Sequence, residues 1–273
     1  RSANCDLRLK ENCSKITKDA DIVFHLAAKV GGIGLNQDKP GELFYDNIIM
    51  GTNLIEEARK NQVKKFISLG TICSYPKFTP MPFKEESIWD GYPEETNAPY
   101  GLAKKMLLVQ SLAYKEQYNF NSIVVFPTNL YGPNDNFDDD TSHVIPALIK
   151  KIFNAKKDKS NFITVWGDGT PTRDFLYVDD AADGIVLAAE KYEDQEPLNL
   201  GSGKEISIKE LVEKLLELMN TKMEIKWETE KPNGQPRRCV SIDKAKKLIG
   251  FAPKTDLEIG LKNTISWYES NFE

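Results

Sequence analysis

A chain of 273 residues, 40% hydrophobic and 28% charged, has ordinary globular composition and enough apolar material for one large core or two modest ones. Its formal net charge of −5 excludes a general basic field for nucleic acid or an anionic membrane, and no apolar run reaches membrane-spanning length. The cysteines, Cys5, Cys13, Cys73 and Cys239, are scattered without a CxxC pair, so a cytoplasmic protein with reduced thiols, no disulfide framework and no metal is expected.

The first dozen residues are polar and carry no strong pattern. Residues 21–28, Asp-Ile-Val-Phe-His-Leu-Ala-Ala, form a short apolar run with the shape of a buried parallel strand, and His25 near its end reads as a core histidine. Gly31, Gly32 and Gly34 follow the wrong strand for a phosphate cradle and predict a tight loop near a substrate. Ile48, Ile49, Leu54, Ile55 and Ala58 recur at helical spacing, predicting a helix over 47–61. A strand over 65–70 comes next, then a long proline-rich loop over 71–99. A helix over 100–118 and a strand over 122–126 complete the first half. This alternation implies right-handed crossovers and a doubly wound parallel sheet, an α/β Rossmann-like fold.

The second half predicts a helix over 144–154, a strand over 162–166 and a helix over 179–191 opened by Asp179 and Asp180. A strand over 198–201 precedes a helix over 207–220, whose Ser207 and Glu210 have capping-box spacing. A strand over 223–227 and helices over 242–248 and 257–272 finish the chain. These elements describe a smaller α/β lobe set on the sheet.

Tyr100 and Lys104 stand four residues apart and so share one helix face. An ammonium there favours phenolate by opposite charge, lowering tyrosine's ordinary pKa of about 10 towards what a general acid/base for a carbinol–ketone pair needs. The spacing alone also arises by chance on helix surfaces. Its context is more specific: HLAAKVGGI (25–33), CSYPK (73–77), NAPYGLAKK (97–105), PTNLYGPNDNF (127–137), SHVIPALIKK (142–151) and WGDGTPTRDFLYVDD (166–180). In these blocks the chain resembles the extended short-chain dehydrogenases/reductases, and within them the enzymes that epimerise and reduce GDP-4-keto-6-deoxy sugars.

That resemblance implies 3,5-epimerisation and NADPH-dependent 4-reduction of a GDP-linked sugar, the alternatives being another nucleotide-sugar epimerase/dehydratase such as a GDP-mannose 3,5-epimerase or a catalytically inactive nucleotide-sugar-binding module. It also implies NAD as the alternative cofactor and a homodimer paired through the helices near 47–61 and 100–118. Nucleic acid and membrane partners are not expected. Tyr100 would protonate the C4 oxygen, Thr71 would hydrogen-bond it, and Lys104 would hold the nicotinamide ribose and keep the tyrosine acidic. Cys73 and His143 would be the epimerisation pair; thiol and imidazole both titrate near neutrality, while the C4 ketone acidifies the hydrogens on C3 and C5. Asp6, Leu26, Ala27, Ala28, Lys29, Pro127, Asn129 and Leu130 would lie along the cofactor. Asn129, His143, Lys151, Trp166, Arg173 and Arg237 would hold the nucleotide sugar, arginine suiting a diphosphate by its bidentate fork. Each has a plainer reading: Cys73 as a small buried hydrophobe, His143 as a solvated helix start, Trp166 as a strand cap, and the arginines as surface ion pairs.

The resemblance also implies an absence. No GxGxxG or GxxGxxG turn occurs before residue 30, and Cys5–Leu7 match a third strand. Residues 1–135, rejoined by 175–200, are therefore expected to form an incomplete dinucleotide-binding unit, and 136–273 mainly the nucleotide-sugar lobe. A polypeptide of this extent is expected to bind dinucleotide poorly or not at all.

Overall fold

Phe66 and Ile67 are adjacent and both fully buried, as are Val124 and Val125, which a strand achieves only when both of its faces are covered. In the computed structural model, which describes residues 5–231 and 233–272, these runs are the middle strands of a four-stranded parallel sheet. The first half runs α1 (Lys10–Thr17), β1 (Ile22–His25), α2 (Ile33–Asp38), α3 (Pro40–Lys60), β2 (Lys65–Leu69), α4 (Ala98–Tyr118), β3 (Ser122–Pro127) and β4 (Asn129–Tyr131). It continues through α5 (Val144–Lys157), β5 (Phe162–Trp166), β6 (Thr172–Arg173), β7 (Phe175–Tyr177), α6 (Val178–Lys191) and β8 (Leu198–Leu200). The chain ends with β9 (Ile206–Ser207), α7 (Ile208–Leu218), β10 (Glu224–Glu228), β11 (Arg237–Arg238), α8 (Asp243–Ile249) and α9 (Leu257–Phe272).

The sheet order is β1-β2-β3-β8, with Phe24 opposite Ile67, Ile67 opposite Ile123 and Val125 opposite Leu198. Alternate residues serve opposite layers. Ile67, Ile123, Val125 and Leu198 pack against Ala181, Ile185 and Ala188 of α6 and Ala245 of α8. Phe66 faces the other way, onto Cys13, Leu54, Ile55 and Ala58, while Val124 and Phe126 meet Leu108, Tyr75 and Phe83. Each large aliphatic side chain so buried contributes on the order of 1.5–3 kcal/mol before chain entropy is subtracted. The expected doubly wound α/β architecture is present.

A second core unites Ile149 and Ile152 of α5, Leu211 and Leu215 of α7 and Leu261 and Ile265 of α9 with Ile163 and Val165 of β5. Here β5 pairs with β10, and β6 lies between β11 and β9. Among the described residues no helix is long and apolar enough to cross a membrane, and no cluster of potential metal ligands occurs.

Local departures from the predicted elements have physical causes. Helix α1 rests on only two buried residues, Cys13 and Thr17, too few for a visible period. Helix α3 begins seven residues before the apolar spacing, at Pro40, whose fixed φ suits a first helical position, while Phe44 and Tyr45 of its opening turns remain exposed. The glycine loop leads straight into α2. Asp180 accepts the backbone N–H groups of Lys254 and Thr255, fastening the approach to α9 rather than only opening its own helix. The capping box forms as expected: Glu210 N–H donates to Ser207 Oγ at 3.1 Å and Ser207 N–H to Glu210 Oε2 at 3.0 Å.

Candidate active site

The chain leaves β2 at Gly70 and turns at Thr71, whose hydroxyl accepts the Cys73 N–H at 3.2 Å and starts a 3-10 turn over Ile72–Ser74. Helix α4 lies directly on that turn. A Cβ at residue 101 would stand 2.9 Å from the Cys73 carbonyl carbon, so glycine is needed for the approach, and Ser74 Oγ donates to Gly101 O at 2.8 Å. The helix begins at Ala98, two residues earlier than its apolar pattern, with Pro99 in its first turn. Tyr100 is thereby placed near the positive end of the helix dipole, over Thr71 and Cys73.

The electrostatics correct the expected pairing. Burial pushes the Tyr100 phenol well above its ordinary range, the nearby Cys73 adds to this, and the Thr71 hydroxyl opposes it. Lys104, 2% exposed, is itself brought down to about 8 by burial alone. Burial, not the ammonium, therefore sets the direction of the tyrosine's shift here. Lys104 also depresses His25, whose deeply buried imidazole is pushed to about 3, chiefly by desolvation. His25 remains the core histidine that its position predicted.

Cys73 sits between two polar groups: Arg238 Nη1 lies 3.4 Å from its sulfur and Asn97 Oδ1 3.9 Å away. Arg238 is buried and its Nε donates to Gln235 Oε1 at 3.0 Å, while Gln235 Nε2 donates to Lys77 O, tying β11 to the loop after Cys73. Strand β11 pairs with β6 so that Arg238 stands beside Arg173. Arg173 donates to Thr172 O and Gln235 O and is lowered to about 10, first by burial and then by the Arg238 charge. Two guanidinium groups thus converge beside the thiol. Arg237, the expected ligand, points to the other side of β11, is exposed, and is held by Glu205. Opposite orientation of adjacent strand residues makes Arg238 the inward one, a choice that needed the register as well as the sequence.

His143 begins α5 with an extended backbone and no capping bond. Its ring reaches solvent yet sits in a recess, where burial lowers its pKa and Asp135 opposes the shift. Gly31 and Gly32 pack on this segment: a Cβ at Gly32 would stand 3.0 Å from Ser142 O. Ile33 reaches Gly234, which adjoins Arg173, so the glycine loop borders both the histidine and the arginine groups.

Leu26, Ala27 and Ala28 form an exposed ribbon after β1, and Asn47 clamps the next residue by accepting Lys29 N–H at 3.0 Å and donating to Lys29 O at 2.8 Å. Lys29 Nζ pairs with Asp46 and Glu42, Asp46 also takes Arg8, and Arg8 binds Asp6, so Asp6 and Lys29 belong to one ion-pair network. Pro127 ends β3, and Asn129 Nδ2 donates to Asp174 O at 2.8 Å, leaving Leu130 partly exposed beside it. These segments follow the carboxyl ends of parallel strands, where open α/β sheets bind ligands. Lys151 Nζ donates to Thr164 O at 3.0 Å, and Trp166 is half-exposed with Lys231 5.3 Å above its ring.

The family model described as the NAD dependent epimerase/dehydratase family matches residues 1–201. A GDP-L-fucose synthase from Sinorhizobium fredii is 41% identical over 268 residues, covering 97% of this chain and 85% of that protein. One from Escherichia coli is 37% identical over 92% of this chain and 81% of its own length. The crystal structure of a GDP-L-fucose synthetase from Naegleria fowleri bound to NADP superimposes on the whole chain with a TM-score of 0.91, at 30% identity and over 85% of that protein.

Proposed function

This chain belongs to the NAD dependent epimerase/dehydratase family, and we propose that it serves 3,5-epimerisation and NADPH-dependent 4-reduction of a GDP-4-keto-6-deoxy sugar. The observation that carries this reading is the buried Tyr100 phenol beside the Thr71 hydroxyl and Cys73, with Lys104 one helical turn along and two guanidinium groups near the thiol.

A phenol held above its ordinary pKa keeps its proton at neutral pH, which is the state required of the acid in a ketone reduction. Tyr100 donates that proton to the C4 oxygen, and the Thr71 hydroxyl positions the same oxygen. Lys104 fits a dinucleotide: its buried ammonium is shifted by desolvation alone, and ribose hydroxyls would supply the partners it lacks among the described residues. NADPH, when bound, supplies the hydride for C4. Leu26–Lys29, Pro127, Asn129 and Leu130 would border the cofactor, with Asp6 behind them. Cys73 and His143 exchange protons at C3 and C5, which the C4 ketone makes acidic. Arg173 and Arg238 hold the diphosphate, while Lys151 and Trp166 take the nucleotide end.

In this reading residues 1–135 with 175–200 form the dinucleotide-binding part and 136–273 mainly the sugar lobe. The enzyme works in the cytoplasm as a homodimer joined through α3 and α4, whose exposed Phe44, Tyr45, Val109 and Leu112 supply apolar surface. Light scattering tests the pairing; a monomer would remove it. For the chemistry, the full-length gene product is assayed with GDP-4-keto-6-deoxymannose. Tyr100→Phe is expected to abolish net NADPH oxidation, and Cys73→Ser to block epimerisation while sparing some direct reduction. Equal and small effects of both would overturn the role assignment.

A further inference from the structure

We propose that Asp135 is the positioning residue for His143, its Oδ2 accepting the imidazole N–H that points away from the sugar. This rests on reading His143 as an epimerisation acid/base. Asp135 lies in the loop between β4 and α5. Its Oδ1 accepts the Asn136 N–H at 2.7 Å, whereas its Oδ2 is buried and has no hydrogen-bond partner among the described residues. Buried carboxylate oxygens ordinarily have donors, so an orphan one marks a partner that arrives with a change of state.

The loop is anchored on both sides of that carboxylate. Asp135 N–H donates to Gly132 O at 3.3 Å, and Asp138 Oδ1 accepts from Thr141 N and Oγ1. Phe137 sits in the core with its ring 4.6 Å from that of Tyr268, and Lys150 holds the Phe137 carbonyl. Asp135 therefore has little freedom to turn to solvent. Burial raises its carboxyl pKa, while the Asn136 N–H and the His143 charge lower it; reciprocally, the Asp135 charge opposes the burial shift of the imidazole.

The chemistry needs such a partner. When His143 takes a proton from carbon on its substrate-facing nitrogen, it becomes an imidazolium with N–H groups on both sides. Asp135 stays ionised, accepts the rear N–H and fixes the ring, so the front proton is the one returned to carbon. Without the carboxylate the neutral ring chooses either tautomer.

The chain has two histidines, and His25 is pushed to about 3, so the imidazole resonance titrating nearer neutrality belongs to His143, with His143→Gln giving the assignment. In Asp135→Asn that titration is expected to move to lower pH, because the raising charge is gone and burial remains. Asp135→Glu is expected to restore it in part. Epimerisation, read as solvent deuterium entering C3 and C5, should fall by about a hundredfold in Asp135→Asn. Reduction of an already epimerised keto sugar should keep its kcat. An unmoved His143 titration in folded Asp135→Asn overturns the proposal. If that variant does not fold, nitrogen-15 and proton shifts of the protonated wild-type ring decide: an imidazolium N–H hydrogen-bonded to carboxylate supports the pair, and an imidazolium without that bond removes it. Should His143→Gln epimerise normally while the titration still responds to Asp135→Asn, the pair stands and the catalytic reading of His143 falls.

Discussion

Gly101→Ala tests how the helix positions the acid. The added methyl would stand 2.9 Å from the Cys73 carbonyl carbon and 3.3 Å from Ser74 N, and closer still to the Cys73 carbonyl oxygen. All three are backbone atoms, so no rotamer change relieves the clash, and α4 must lift from the Ile72–Ser74 turn. Overpacking of this kind costs about 1–3 kcal/mol, and alanine's better helix propensity returns up to ~1 kcal/mol of it. A net loss of about 1–2 kcal/mol corresponds to a fall in Tm of roughly 2–8 °C in a domain of this size. Lifting the helix also separates Tyr100 from Thr71, and a displacement of about 1 Å costs on the order of a hundredfold in turnover. Differential scanning calorimetry and steady-state NADPH oxidation measure the two effects. A Gly101→Ala enzyme with unchanged Tm and unchanged kcat would refute the argument that this contact sets the tyrosine.

Lys104→Met should stabilise the cofactor-free protein at neutral pH. The folded pKa of about 8 lies below the ordinary 10.5, so the unfolded chain binds more protons between these values and stability rises with pH across that window. Below pH 8 the buried ammonium costs about 3 kcal/mol on that difference, and the variant's advantage should vanish above pH 10.5; chemical denaturation at both pH values checks it. Ser207→Ala removes one half of the capping box and should cost about 1 kcal/mol by urea unfolding without changing turnover. Arg238→Met should raise KM for the nucleotide sugar by at least tenfold, whereas Arg237→Met, which loses only its exposed contact with Glu205, should change KM less than about twofold.

The sheet was legible because burial on both faces leaves continuous apolar runs, as in Phe66–Ile67 and Ile123–Phe126, and the capping box because its two residues act locally. The starts of α3 and α4 were displaced because prolines open both helices before the apolar spacing begins. Site geometry was less legible. Whether Arg237 or Arg238 faces Cys73 depends on the pairing of β11 with β6, a contact between segments more than sixty residues apart. The sign of the Tyr100 shift depended on how deeply the helix sank, because burial raises the phenol and lowers the Lys104 ammonium alike and is set by tertiary packing. Asp135 gave no signal in a polar loop until its orphan oxygen appeared.

Running the reaction of the full-length gene product with GDP-4-keto-6-deoxymannose and NADPH in deuterated water tests the central claim most directly. Stoichiometric NADPH oxidation and a product carrying solvent deuterium at both C3 and C5 are expected. Deuterium exchange without net NADPH oxidation, or oxidation that leaves both carbons unlabelled, would contradict it.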